Sequence, residues 1–180
     1  MSPEGCIIVA NPAAGGVRRP RVQAHLQRLA AELDCPLWGL DCRSADEFRQ
    51  GVATASTRTA ILVVAGGDGT FADALNAVRA DPVLAYLPCG SGNALKWALR
   101  QAGCRPVAAA TVREGRSRRI GVIRCDGGRK ALMASIGLDA LAAHLRRVDA
   151  RPGQRGMARY AAALLKAVRG YRCPEVTVRG

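Results

Sequence analysis

Three short glycine-rich segments carry the residues of this chain that are best suited to chemistry. They are residues 11–16 (Asn-Pro-Ala-Ala-Gly-Gly), 66–70 (Gly-Gly-Asp-Gly-Thr) and 88–93 (Pro-Cys-Gly-Ser-Gly-Asn), named turns 1, 2 and 3 below. Each turn follows an apolar stretch and precedes a helical pattern. Glycine lets backbone amides approach an anion closely and adopts positive φ without strain. The three turns therefore predict a polyphosphate-binding site.

Polar side chains within the turns add further contacts for such a ligand. Asp68 is suited to holding Mg²⁺, directly or through water, or to accepting a hydroxyl proton. Thr70 and Ser91 carry hydroxyls that can donate to phosphate oxygens or cap the helices that follow. No Gly-Lys-Ser/Thr sequence follows any of the apolar stretches, which disfavours an ordinary P-loop enzyme.

The elements that must position these turns alternate between strands and helices. Apolar runs rich in Ile and Val alternate with amphipathic stretches, which predicts an α/β fold with an open, mostly parallel sheet and helices on both faces. The predicted strands are 6–11, 36–40, 59–65 and 83–87, and the predicted helices are 20–33, 45–54, 70–79 and 93–101. Because the carboxyl ends of parallel strands meet at one edge of a sheet, we expect the three turns to lie together.

The pattern changes after Pro106. An Ala-rich helix is predicted to about Glu114, followed by a hairpin of residues 118–125 and 130–135 around an Asp-Gly-Gly turn. Helices are predicted at 138–147 and 156–169, and a last strand at 175–179 has no obvious partner. We therefore expect an α/β nucleotide-binding domain over 1–117 and the beginning of a β-rich second domain, apparently truncated, over 118–180.

The three turns resemble, in order, the motifs of the diacylglycerol kinase catalytic-domain family, which includes bacterial lipid kinases, sphingosine kinases and ceramide kinases. Turn 1 is similar to the family's Asn-Pro-x-Ser-Gly, turn 2 contains its complete Gly-Gly-Asp-Gly-Thr, and turn 3 is similar to its Pro-x-Gly-Thr/Ser-x-Asn. Residues 135–140 resemble the segment that enters the family's second domain. NAD kinases and phosphofructokinases share the second motif, whereas the third favours lipid kinases.

The resemblance implies a NAD kinase/diacylglycerol kinase-like α/β domain followed by a β-sandwich, with MgATP and a lipid meeting between them. The implied reaction transfers the γ-phosphate of ATP to the hydroxyl of a lipid alcohol such as diacylglycerol or a sphingoid base. Asp68 is the implied catalytic residue and a candidate Mg²⁺ ligand. The implied nucleotide-binding residues are Asn11, Gly15, Gly66, Gly67, Asp68, Gly69, Thr70, Gly90, Ser91, Gly92 and Asn93.

Three departures from the family pattern keep alternatives open. Ala14 stands where the family has Ser, Ala72 and Asp73 replace a common Asn-Glu pair, and the late Asp-Gly-Glu/Asp motif is not found. One alternative is a non-catalytic nucleotide- or lipid-binding fragment that lacks the acidic motif. The other is a NAD-kinase-like phosphotransferase with a soluble acceptor, which the sequence of turn 3 disfavours.

The charge of the chain favours anionic partners. There are 27 Lys+Arg against 14 Asp+Glu, a net charge of +13, and many of the arginines fall within residues 116–159. Aromatic residues make up only 4% of the chain, so stacking platforms for single-stranded nucleic acid are not expected. We predict peripheral contact with an anionic membrane surface and no nucleic-acid partner, although a GC-rich coding sequence explains the arginines equally well. A homodimer is an open alternative.

Two features of the sequence bear on localisation. The apolar run at residues 6–10 is too short for a signal sequence or a membrane span. The seven cysteines are scattered without a Cys-x-x-Cys pair, which is typical of reduced intracellular thiols. The expectation is a cytoplasmic protein that associates peripherally with a membrane.

Overall fold

A computed structural model describes residues 5–90, 92–135, 137–148, 157–173, 175 and 177. The chain divides into two compact units, residues 1–132 and 133–180. In the first unit, four strands form a parallel sheet in the order β2-β1-β3-β4. They are β1 (Cys6–Ala10), β2 (Leu37–Trp38), β3 (Ile61–Gly66) and β4 (Val83–Pro88). The predicted α/β architecture is confirmed.

Helices cover both faces of this sheet. They are α1 (Pro20–Leu33), α2 (Ala45–Ser56), α3 (Asp68–Ala77), α4 (Ala94–Gln101) and α5 (Ala109–Arg113). Alternate strand residues point to opposite faces. Ile8 and Val63 pack with α1 and α5, whereas Val9 and Val64 pack with α2, α3 and α4. Because both sets of side chains are buried, the strands are apolar throughout, as the sequence pattern predicted.

Local sequence explains most element boundaries. Ser44 caps α2, since its Oγ accepts a hydrogen bond from the Glu47 amide at 3.0 Å. The strand predicted at 36–40 is shorter, because Gly39 has a φ of 96° and leaves the extended conformation. The helix predicted at 70–79 begins instead at Asp68 and ends at Ala77. Most of turn 2 is therefore the first turn of α3 and not a loop before it.

The predicted hairpin is present but short. It consists of β5 (Ile123–Arg124) and β6 (Lys130–Ala131), paired antiparallel around a turn at Asp126–Gly128. Asn76 of α3 holds β6 by two hydrogen bonds, accepting from the Lys130 amide at 2.7 Å and donating to its carbonyl at 2.9 Å. The hairpin is thus attached to the α/β unit.

In the second unit, α6 (Leu138–Val148) and α7 (Met157–Gly170) pack against each other, with Ala142, Ala163 and Ala167 buried. The strand predicted at 175–179 lies mostly outside the described residues. The domain boundary at residue 117 and the truncated sandwich stay predictions. Within the described part of the chain, no helix combines the length and apolar character needed to span a bilayer.

Candidate functional site

The sheet topology creates a crevice at the carboxyl ends of β1 and β3. The chain leaves β1 through α1 and turns toward β2, whereas it leaves β3 through α3 on the other face and turns toward β4. Neighbouring strands whose connections diverge in this way open a crevice at their carboxyl ends, where ligands bind in α/β sheets. Turn 1 follows β1 and turn 2 follows β3, so both lie at this crevice.

The three turns contact one another at this edge. Turn 1 is joined to turn 2 by Asn11, whose Nδ2 donates to Thr70 Oγ1 at 3.2 Å. The Asn11 Oδ1 accepts from the Ala13 amide at 2.9 Å, which fixes the orientation of the side-chain amide. Turn 2 packs against turn 3 at Gly67 and Gly90. The two glycines are so close that a methyl group on Gly90 would lie 2.6 Å from the Cα of Gly67. The prediction that the turns lie together is confirmed.

Close packing, and not positive φ, requires some of the glycines. A methyl group on Gly16 would collide with the carbonyl oxygen of Cys89, and one on Gly66 would lie 2.5 Å from the Thr70 side chain. None of the turn glycines is among the described residues with positive φ, so in these turns the freedom of glycine to adopt positive φ is not used. The left-handed residue of turn 3 is Asn93, with a φ of 52°.

Other glycines of the turns border open space. A methyl group on Gly15 or Gly69 would meet no atom within 4 Å, and one on Gly92 would meet only Asp68 Oδ2 at 3.9 Å. All three are exposed. Each turn therefore offers one glycine where a ligand can approach the backbone without displacing a protein atom.

The Asp68 carboxylate caps α4. Its Oδ2 accepts from the Ala94 amide at 2.9 Å, and its Oδ1 accepts from the Leu95 amide at 3.1 Å. The Tyr86 hydroxyl lies 3.1 Å from the same Oδ1. These amides belong to the first turn of α4, whose positive end favours a carboxylate. A carboxylate has about four acceptor positions, so three are occupied and one on Oδ2 remains for a metal ion or a proton.

Tyr86 is a site residue that the sequence reasoning missed. Its hydroxyl lies 3.1 Å from Asn93 Oδ1 as well as from Asp68. Burial and the neighbouring Asp68 carboxylate raise the pKa of Tyr86, so the hydroxyl stays a donor at neutral pH. Asn93 closes turn 3, accepting from the Gly90 amide at 3.0 Å and donating to its carbonyl at 2.8 Å. The available signal was a single phenol near the carboxyl end of an apolar strand.

The first amides of α3 remain open. The helix makes its first internal bond from the Phe71 amide to the Gly67 carbonyl at 3.1 Å, which leaves the amides of Asp68, Gly69 and Thr70 ahead of it. These amides donate to no other part of the described chain. Amides at a helix N-terminus attract anions. The α4 amides are occupied by Asp68, so the open helix terminus among the turns is that of α3.

A family model decides the identity of the domain. The model of the diacylglycerol kinase catalytic domain matches residues 5–125. The chain belongs to this family. A diacylglycerol kinase catalytic domain is a kinase-family domain. A comparison with curated proteins finds no match.

Solved structures share the fold of this diacylglycerol kinase catalytic domain. A diacylglycerol kinase from Bacillus anthracis strain Sterne is 20% identical with a TM-score of 0.55, over 86% of this chain and 59% of that one. Two chains described as a candidate diacylglycerol kinase from the same organism are each 19% identical. One has a TM-score of 0.59 over 84% of this chain and 58% of its own. The other has a TM-score of 0.55 over 71% of this chain and 48% of its own. The chain thus spans about half to three-fifths of these structures.

The departures from the family pattern have structural consequences. Ala14 is half-buried against the core and has no hydroxyl to offer; its amide donates to the Asn11 carbonyl at 3.0 Å. The Asp73 carboxylate lies 3.9 Å from an Arg49 guanidinium nitrogen. In the described residues, no group of three or more His, Cys, Asp or Glu side chains could hold a metal ion. Asp68 is the only acidic residue in the three turns.

The predicted site residues can now be placed. Turn 1 contributes Asn11 and Gly15, turn 2 contributes residues 66–70, and turn 3 contributes Gly90, Gly92 and Asn93. Ser91 lies outside the described residues. The role of all these site residues in binding nucleotide stays a prediction.

Proposed function

We propose that the three turns bind the phosphates of ATP, and that the domain transfers the γ-phosphate to the hydroxyl of a lipid alcohol such as diacylglycerol or a sphingoid base. The observation that carries the proposal is the open first turn of α3 at the crevice, which contains the uncovered Gly69; turns 1 and 3 add the uncovered Gly15 and Gly92. Membership of the kinase family supports the reaction class.

The side chains of turns 1 and 2 prepare this position for an anion. Thr70 Oγ1 accepts from Asn11 Nδ2 and makes no other hydrogen bond in the described chain, so its own proton is free to donate. Thr70 is buried, and its side chain packs against Gly66. A fixed hydroxyl beside open amides stabilises a phosphate without reorganisation when the ligand arrives.

The residues present also fit a magnesium ion. Mg²⁺ is commonly held by one or two carboxylates together with substrate phosphates and water, so the remaining acceptor position on Asp68 Oδ2 is sufficient. When bound, the ion would neutralise charge on the β- and γ-phosphates. The other three acceptor positions of Asp68 hold α4, so this carboxylate couples the ligand position to turn 3.

Gly69→Ala tests nucleotide binding separately from folding. Gly69 lies in the first turn of α3 with open space at its Cβ position, so alanine should preserve stability or raise it by up to about 1 kcal/mol. Its methyl group would occupy the space that we assign to phosphate, and we expect at least about a tenfold loss of ATP affinity, or about 1.4 kcal/mol. Calorimetric titration with a non-hydrolysable ATP analogue measures this.

The matched control is Gly121→Ala. Gly121 also has open space at its Cβ position and lies outside the three turns, so the same atoms are added elsewhere. It should bind the analogue like the unchanged protein. If both variants and the unchanged protein bind the analogue with equal affinity, turn 2 does not bind the phosphate.

A second candidate function is nucleotide binding without transfer. It is favoured by the commitment of Asp68 to three donors and by its being the only acidic residue in the turns. Labelled ATP incubated with a panel of lipid alcohols separates the two candidates. Label in the lipid phase supports the kinase, binding without label supports the second candidate, and absence of binding contradicts both.

A further inference from the structure

Helix α4 presents an exposed tryptophan between two cations. Trp97 is 60% exposed, and Lys96 Nζ and Arg100 Cζ each lie 5.6 Å from the centroid of its ring. On the same helix, Leu95 is buried in the core. Leu99 also packs against this core, so the helix is anchored through Leu95 and Leu99 while the Trp97 indole faces solvent.

A groove beside α4 extends this cationic surface. The groove has a volume of about 560 Å³ and lies along the edge strand β4. Its lining includes five cations, Lys96, Arg100, Arg105, Arg116 and Arg118. The acidic residue of the lining is Glu114, which is bound to Arg105 at 2.6 Å. Trp97 and these five cations are named the docking face.

The chemistry of the docking face matches an anionic bilayer. Indoles concentrate at membrane interfaces, where the ring is apolar on its faces and donates a hydrogen bond at its edge. Cations near the surface attract anionic headgroups. Val83 and Ile120 in the groove lining are 41% and 42% exposed, which adds apolar area among the charges. An apolar anchor ringed by cations is the pattern of an interfacial surface.

We propose that the docking face binds an anionic membrane, with the Trp97 indole at the headgroup boundary and the four cations other than the Glu114-paired Arg105 facing lipid phosphates. The proposal rests on the proposed function in one respect, since a lipid kinase must reach its acceptor at a membrane. It places the contact on α4 and its groove, and not along the whole basic stretch of residues 116–159. Tyr86 and Pro88 line the same groove, so the docking face adjoins turn 3.

Tryptophan fluorescence tests the proposal directly. The chain has two tryptophans, and Trp38 packs against Phe48. In a Trp38→Phe variant, the emission reports on Trp97 alone. We expect a blue shift, and quenching by brominated lipids, with vesicles of phosphatidylcholine and phosphatidylglycerol but not with phosphatidylcholine alone. Free inorganic phosphate should leave the emission unchanged, and a blue shift with phosphate alone would overturn the assignment to a membrane.

Charge variants locate the contact. Lys96→Gln with Arg100→Gln should lower the vesicle partition coefficient about 25-fold, at about fivefold for each cation. The control is Arg21→Gln with Arg28→Gln, which removes the same charge from exposed positions of α1 on the opposite face of the sheet. Equal losses in the two double variants would show general attraction and overturn the docking face. Trp97→Ala should also lose binding, and the exposed position makes misfolding unexpected.

Two further readouts keep the outcomes distinct. The ATP affinity of the charge variants should be unchanged. Loss of vesicle binding would then leave the proposed nucleotide site intact, and loss of ATP binding in Gly69→Ala would leave the docking face intact. A blue shift that appears without vesicles, together with a doubled mass in solution, would show that a second copy of the chain covers Trp97. That result would overturn the membrane assignment.

Discussion

Replacing Asp68 by alanine should destabilise the domain even without any ligand. The carboxylate holds the first turn of α4 through the Ala94 and Leu95 amides, at 2.9 and 3.1 Å. Alanine removes both acceptors and the negative charge at the positive end of the helix. The Tyr86 hydroxyl still has Asn93 Oδ1 at 3.1 Å, so it does not lose its last acceptor.

The expected magnitude follows from these contacts. Loss of a helix cap costs about 1 kcal/mol, and loss of a carboxylate at a helix N-terminus costs about 0.3 to 1 kcal/mol more. A partly buried, charge-assisted geometry lies toward the upper end, so we expect a loss of about 2 kcal/mol in the free energy of unfolding. For a chain of this length the melting temperature should fall by about 6 °C.

Thermal and urea denaturation of two variants measure this effect. Asp73→Ala is the matched control, because it removes a carboxylate from the same helix whose ion pair with Arg49, at 3.9 Å, lies at the surface. That pair should contribute less than about 1 kcal/mol. Asp68→Asn keeps one acceptor oxygen and should lose about half as much stability as Asp68→Ala, or about 1 kcal/mol.

Equal melting temperatures for Asp68→Ala and Asp73→Ala would refute the capping role. If capping holds, lost phosphate transfer in Asp68→Ala alone does not identify Asp68 as a base, because α4 has also lost its cap. Asp68→Asn with most of its stability retained and transfer abolished would instead point to the negative charge of Asp68.

Two further predictions follow from the packing of the chain. Gly90→Ala should lower the free energy of unfolding by about 1 to 3 kcal/mol in chemical denaturation, because its methyl group would lie 2.6 Å from the Cα of Gly67, a backbone atom that cannot rotate aside. An unchanged midpoint would contradict the contact between turns 2 and 3. Burial and the neighbouring Cys35 raise the pKa of Cys6 to about 12, so its thiolate forms only as pH rises toward that value. In alkylation followed by mass spectrometry, exposed Cys125 should react well before half-buried Cys6 at pH 8, and equal rates would count against the raised pKa of Cys6.

Sequence alone determined the elements and the composition of the site. Residues 6–10 and 61–66 read as buried parallel strands, because strands covered on both faces must be apolar at every position. The positions of the three glycine turns were predicted from local spacing. Their location at one edge of the sheet was predicted from the parallel strands that precede them. The family resemblance rested on the same local motifs, which is why it agreed with the family model.

The use of each site residue was decided only by tertiary structure. Asp68 finds its donors 26 and 27 residues away on α4, and no spacing rule predicts which amides a carboxylate meets across two turns. Gly90 is needed because Gly67 packs against it, and Tyr86 enters the site because turn 2 lies beside turn 3. Local patterns fix which residues can form strands, turns and caps, since those depend on neighbours along the chain. The partners of the polar groups depend on how three separate turns pack together, and only the folded chain determines that.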